Sequence, residues 1–261
     1  MHTINHKMNL AKRGLESFLY LLNLLRSTEK DQVRVVIFAQ GRTGSTLLES
    51  LLCSTGHFSE NGELLNKNRY GRAVFPEAFI EGLTKWKRRN GFIFHVKIYQ
   101  LTNDRSTSID PGEFLTNLAS KGWKILYLRR ENEIKHALSS RIVAQRGEYF
   151  KYDDEKEQVK ITIEDCDKFA ESLSVRRRYL EQEQSALNGL DFCEVIYERD
   201  LESVESHQAT VDRVLDWLSL EKRDASTTLY KVNTWTMREL ITNYQEFAES
   251  MTKHGLARFL D

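Results

Sequence analysis

Five consecutive residues, Arg42-Thr43-Gly44-Ser45-Thr46, combine a permanent cation, three hydroxyls and a glycine free to adopt backbone conformations closed to other residues. That combination suits an oxyanion. Gly41 lets the backbone curl closely around it, so main-chain N–H groups and hydroxyls become donors while Arg42 supplies charge. A second group, Arg129-Arg130 with Ser139 nine residues beyond Arg130, offers another cation and hydroxyl. Three side chains could accept a proton: Glu60, Glu63 directly after the turn-forming Gly62, and His95.

The elements that must position these residues can be read from periodicity. Val33, Val35, Val36, Ile37 and Phe38 form a near-continuous apolar run, as in a parallel strand buried on both faces, and helical spacing follows as far as Leu52. The five residues therefore sit in a strand-to-helix turn at the carboxyl edge of a sheet, where ligands bind and a helix N-terminus attracts anions. The nucleotide-hydrolase loop GxxxxGK[ST] does not fit, because Ala39 replaces its first glycine and Ser45 its lysine. Arg42 carries the charge instead. Lys124 to Arg146 repeats the plan of strand, basic turn and helix.

Arg42-Thr43-Gly44-Ser45-Thr46 after a strand resembles the 5′-phosphosulfate loop of sulfotransferases that use 3′-phosphoadenosine 5′-phosphosulfate (PAPS). A strand ending in arginine with a serine eight or nine residues later, here Arg130 and Ser139, resembles that family's 3′-phosphate site. Ser139-Ser140-Arg141 with Ala144-Gln145 is most similar to bacterial sulfotransferases of the trehalose and nodulation-factor type. The resemblance implies sulfuryl transfer to a hydroxyl of a carbohydrate or other small acceptor, with no metal. It implies that Arg42, Thr43, Gly44, Ser45 and Thr46 hold the 5′-phosphate, with Arg42 also stabilising the leaving oxygen. Gly62-Glu63 matches the pair whose carboxylate deprotonates the acceptor, with Glu60 the alternate and His95 a second base or acceptor clamp. Tyr197-Glu198 before Asp200-Leu201 resembles a family signature interrupted by Arg199, and Lys231-Val232-Asn233 is a loose match to a cofactor-covering segment. The alternatives are a non-catalytic nucleotide-binding protein and a small-molecule kinase with a degenerate P-loop.

The remaining chain sets the frame. With 38 Lys plus Arg against 38 Asp plus Glu, the 261 residues carry no global field to recruit nucleic acid or an anionic membrane. Cys53, Cys166 and Cys193 are too scattered for a disulfide framework or zinc, which favours a reducing, cytoplasmic setting. Residues 6–26 read as an amphipathic helix packed on the domain, too interrupted to span a membrane. Further helices are expected at 76–90, 110–121, 166–187, 211–220 and 235–251, and strands at 92–99, 125–128 and 192–198. Alternation puts His95 and Lys97 on one face of the second of these strands. Residues 53–65 read as a turn-rich return along the sheet edge, 147–165 as an acceptor-facing loop, and Arg176-Arg177-Arg178 as a solvated helix face. The expected architecture is one α/β domain over 1–261, a P-loop-like open, mostly parallel sheet with helices on both faces. A homodimer is compatible with it.

Overall fold

The structure, a computed structural model, describes residues 2–27, 32–66, 73–87, 91–146, 160–229 and 235–260. In chain order the elements are α1 (His2–Leu25), β1 (Arg34–Ala39), α2 (Ser45–Ser54), β2 (Phe58–Glu63), α3 (Pro76–Trp86), β3 (Gly91–Val96), α4 (Ile98–Leu101), α5 (Pro111–Ser120), β4 (Lys124–Arg129), α6 (Glu133–Arg146) and α7 (Cys166–Ala186). They continue with β5 (Phe192–Ile196), α8 (Tyr197–Asp200), α9 (His207–Trp217), α10 (Met237–Leu240) and α11 (Tyr244–Lys253).

The five strands form one sheet in the order β2-β3-β1-β4-β5, and every pairing is parallel. This is the expected open parallel sheet, with helices on both faces. Alternation along β1 divides its side chains between two cores. Val36 and Phe38 join the layer of α1, α3 and α5, while Val35, Ile37 and Ala39 join the layer of α2 and α9. A third core gathers Ile134, Leu138, Phe169, Leu173, Met237 and Phe247 from α6, α7, α10 and α11. Because β1 lies between β3 and β4, the chain reverses direction across the sheet at β1, and the turn after β1 opens into the crevice this creates.

Several elements differ from expectation for identifiable reasons. Phe58–Glu63 is an edge strand rather than a turn-rich return, because it pairs on one side only and tolerates the polar run Ser59-Glu60-Asn61-Gly62-Glu63. The strand expected to reach 99 ends at Val96, and Ile98–Leu101 turns helical at the sheet's end. The last strand ends at Ile196, where Tyr197–Asp200 forms a helical turn. The final expected helix is two, since Ile241 leaves α10 to make a parallel bridge with Ile161. That bridge also corrects the expectation of an acceptor loop reaching 165: Ile161 and Ile163 are buried in the third core, and Asp165 caps α7 by accepting from the Lys168 amide at 2.8 Å. Residues 147–159 and the Lys231-Val232-Asn233 match lie outside the described residues.

The N-terminal helix reaches further than expected, from His2, and its approach to α3 is close: a Cβ added at Gly82 would stand 2.0 Å from the Leu19 carbonyl oxygen. Only a glycine allows that contact. No helix among the described residues is long and apolar enough to cross a membrane.

Candidate active site

Residues 40–44 turn sharply between β1 and α2, and two of them hold left-handed backbone conformations, Arg42 at φ 68° and Gly44 at φ 95°. For arginine this conformation costs about 1–2 kcal/mol, and such strain is characteristically kept where a loop has a task. Gly44 is needed twice over, since a Cβ there would also lie 2.8 Å from the Tyr197 ring. No side chain caps α2, so the N–H groups of its first turn are open to an anion. Thr43 is turned away from that role: it is buried, and its hydroxyl donates to the Gln40 carbonyl at 2.8 Å.

Alternation alone sets Lys97 beside His95, and the fold shows why it matters. It is only 1 % exposed, and its Nζ stands 2.5 Å from Ser45 Oγ at the start of α2 and 4.0 Å from Glu63 Oε1. Burial pushes its pKa down to about 8, against the pull of Glu63, Glu183 and Glu49. A lysine just past the end of β3 thus brings its charge to the residue where the hydrolase loop would carry its own.

Glu63 ends β2 directly opposite His95 in the β2–β3 register, after a bulge at Asn61-Gly62. Gly62 takes φ 63°, and both bulge amides, Asn61 N and Gly62 N, donate to Glu49 Oε1 at 2.8 Å. The bulge thereby turns the Glu63 side chain toward β3. Its Oε2 accepts from Gln100 at 2.7 Å and Asn66 at 2.9 Å. Burial alone would raise the Glu63 pKa, but Lys97, Asn66, His95 and Gln100 together outweigh it and hold the carboxyl below its ordinary value. Glu63 is therefore ionised at neutral pH.

His95 lies deeper, 3 % exposed. Its Nε2 is 3.1 Å from Glu49 Oε2, an ion-pair distance without hydrogen-bond alignment, and its Nδ1 has no hydrogen-bond partner and stands 3.8 Å from Glu63 Oε1. Burial and Lys97 lower its pKa, so the ring is neutral, and a carboxylate at Nε2 favours the tautomer with its proton there. Nδ1 then presents a lone pair toward Glu63. Glu60 is exposed at the rim of the same pocket.

On the other side of the turn, Arg130 is positioned rather than free. It donates to Glu198 Oε1 at 3.0 Å and to the Arg42 carbonyl at 3.4 Å, and its guanidinium stacks on Tyr197 at 4.1 Å. The Tyr-Glu pair picked out in the sequence is thus the clamp of Arg130. Ser139 accepts from Arg42 Nε at 3.3 Å, which brings both predicted phosphate clusters together. Arg129 is tied outward to Glu194 at 2.7 Å.

All these groups meet in one cavity of about 1250 Å³ lined by Arg42, Gly44, Ser45, Thr46, Glu60, Glu63, His95, Lys97 and Arg130, with Ser139 next to it through Arg42. One expectation fails here. Arg176 is not part of a solvated face but lines the cavity, its Nη2 donating to Ser140 Oγ at 2.6 Å; Arg177 and Arg178 are exposed as expected, Arg177 reaching Glu133 at 2.7 Å. Sequence reasoning also missed Glu49, since a glutamate on an otherwise apolar helix face gives no hint that its oxygen holds a bulge in another strand.

No protein-family model and no curated protein matches this chain. Solved structures do resemble it in shape. A sulfotransferase from Alicyclobacillus acidocaldarius superposes with TM-score 0.46 at 14% identity, over 88% of this chain and 97% of that one. Mouse sulfotransferase SULT7A1 complexed with PAP gives 0.44 at 12%, over 79% of this chain and 64% of that one. A shikimate kinase from Bacteroides thetaiotaomicron gives 0.44 at 14%, over 72% and 99%. Likeness at this level says nothing about chemistry, which has to come from the residues themselves.

Proposed function

We propose that this chain is a PAPS-dependent sulfotransferase that moves the sulfuryl group to a hydroxyl of a carbohydrate or other small acceptor. The observation that carries this reading is the meeting in one cavity of an arginine-bearing anion loop, Lys97 at Ser45, and the solvent-accessible carboxylate Glu63. In the reaction, the acceptor oxygen bonds to sulfur as the bond from sulfur to the 5′-phosphate oxygen breaks. The acceptor proton passes to Glu63, and adenosine 3′,5′-bisphosphate departs. Arg42 and Lys97 face the charge that grows on the leaving oxygen, and the amides of Gly44, Ser45 and Thr46 hold the 5′-phosphate. Arg130 and Ser139 are assigned to the 3′-phosphate. His95 stands behind Glu63 with a lone pair ready for the proton, while Glu60, exposed at the rim, is the less suited base. The Ser139-Ser140-Arg141 tail supports the bacterial trehalose and nodulation-factor type within the family.

A kinase has one observation in its favour, because Lys97 supplies an ammonium where the hydrolase loop has a lysine. Metal dependence separates the two. With PAPS, a panel of sugars and phenols, and excess EDTA, the wild type is expected to release the bisphosphate, and Arg42→Ala to lower the rate by about 10²-fold or more, the usual size of losing a group that stabilises transition-state charge. Undiminished turnover by Arg42→Ala, or ATP consumption that requires magnesium with none from PAPS, would contradict the assignment.

A further inference from the structure

Among the described residues, Arg176 is a cation without a counter-ion. It projects from the middle of α7 into the pocket, and its partners are neutral: Ser140 Oγ at 2.6 Å from Nη2 and His136 Nε2 at 2.9 Å from Nη1. The charged and titratable groups bearing on it are Tyr99 and Arg130, neither of them a carboxylate. Of the arginines around the turn, Arg129, Arg130 and Arg177 each meet a glutamate within 3.0 Å. A half-buried guanidinium without a carboxylate is costly unless something else supplies the charge.

The histidine contact does not satisfy it. His136 Nε2 also lies 2.7 Å from the Gly41 carbonyl oxygen, which accepts only, so Nε2 can either donate to that oxygen or accept from Arg176. Burial and the neighbouring arginines hold His136 well below its ordinary pKa, so the ring is neutral and one tautomer must leave one contact unmade. The carbonyl of the loop is the better claimant, at 2.7 Å against 2.9 Å for the arginine. Arg176 then keeps donors to spare, in a cavity open to solutes.

Where those donors lie decides what they would meet. Arg42 and Arg130, assigned to the donor, lie in the turn after β1 and just past β4; Arg176, within electrostatic reach of Arg130, stands by Tyr99, whose ring meets that of Tyr179 at 6.0 Å with the planes tilted by 56°. Val143, Phe169 and Val175 give this part of the cavity an apolar wall. We propose that Arg176, with Ser140, binds an oxyanion of the acceptor itself, so that the acceptor is a hydroxylated carboxylate or sulfate ester with an apolar or ring face rather than a neutral alcohol. The two-donor edge of a guanidinium matches either oxyanion. This deepens the sulfuryl-transfer reading and rests on it for the name of the acceptor.

Binding tests it without turnover. Isothermal titration of the full chain, with and without adenosine 3′,5′-bisphosphate, compares 4-hydroxybenzoate with 4-hydroxybenzamide and glucuronate with glucose, in wild type, Arg176→Gln and Arg176→Lys. The anionic member of at least one pair is expected to bind about ten-fold or more tightly, the size of a charge-assisted hydrogen bond. Arg176→Gln removes the preference, Arg176→Lys keeps part of it, and bisphosphate affinity stays within about two-fold in both, as expected of contacts made by the acceptor alone. Arg176→Lys retains the charge and so reads the preference even if the glutamine variant folds poorly. The inference is overturned if neither pair shows a preference, if the preference survives in Arg176→Gln, or if bisphosphate affinity falls in step, which would put the arginine on the donor's 3′-phosphate. Failure of the wild type to bind the bisphosphate would instead sink the sulfuryl-transfer reading, while the anion preference is still read in its absence.

Discussion

Glu63 and Lys97 are 4.0 Å apart and restrain each other, the lysine keeping the carboxylate ionised and the carboxylate resisting the lysine's loss of charge in a buried place. If Glu63 takes the acceptor's proton, Glu63→Gln should cut turnover strongly with bisphosphate affinity nearly unchanged, since shape and the two amide contacts survive, whereas Glu60→Gln should do little. Normal turnover by Glu63→Gln in a steady-state assay, with loss on His95→Ala, would move the base to the imidazole. The pH profile follows from the same pair. Glu63 titrates below its ordinary value, so the acid limb lies under the usual carboxylate range, and Lys97 loses its proton near pH 8, so the rate should be level to about pH 8 and fall about tenfold per unit above it. Folding responds oppositely. Between about pH 8 and the unfolded lysine value near 10.4 the unfolded chain binds more protons, so stability contributed through Lys97 rises with pH across that window. A rate that keeps rising beyond pH 9 would remove Lys97 from the charged role.

Elements were legible where their burial was symmetric. The apolar run of β1, the aspartate cap of α5, where Asp110 accepts from the Glu113 amide at 2.8 Å, and the length of α7 all follow from periodicity and end signals. What escaped was tertiary in origin: a polar edge strand held by one neighbour, a helix broken because Ile241 pairs with Ile161, and an arginine triplet in which packing against α6 turns Arg176 inward. The strand-to-helix turn after β1 was legible because its signals are local to five residues, but Glu49, Lys97 and Glu63 meet only after α2, β3 and β2 assemble. The two glycines of the α1–α3 layer make the point testable. Gly82→Ala forces a methyl onto the Leu19 carbonyl and should destabilise by about 1–3 kcal/mol, while Gly14→Ala, with nothing within 4 Å of the new methyl, should stabilise by about 0.5–1 kcal/mol. Denaturant midpoints measure both, and a neutral Gly82→Ala would mean that α1 is not docked as described.

At the scale of the molecule, the sheet order explains why these parts converge. With β1 central, the carboxyl ends of β1, β3 and β4 deliver Arg42, Lys97 and Arg130 to one edge, and the bulge in β2 adds Glu63 from the side. The proposed function assigns that convergence to a ligand with anions at two places. The most direct measurement is thermal unfolding of the full chain in EDTA with adenosine 3′,5′-bisphosphate at about 100 times its dissociation constant, set against ATP with magnesium. A ligand that binds only the folded state adds about 2.7 kcal/mol at that excess, roughly 5–10 °C for a chain of this size. The account predicts that rise for the bisphosphate, with little from ATP. A rise with magnesium-ATP and none with the bisphosphate would contradict it.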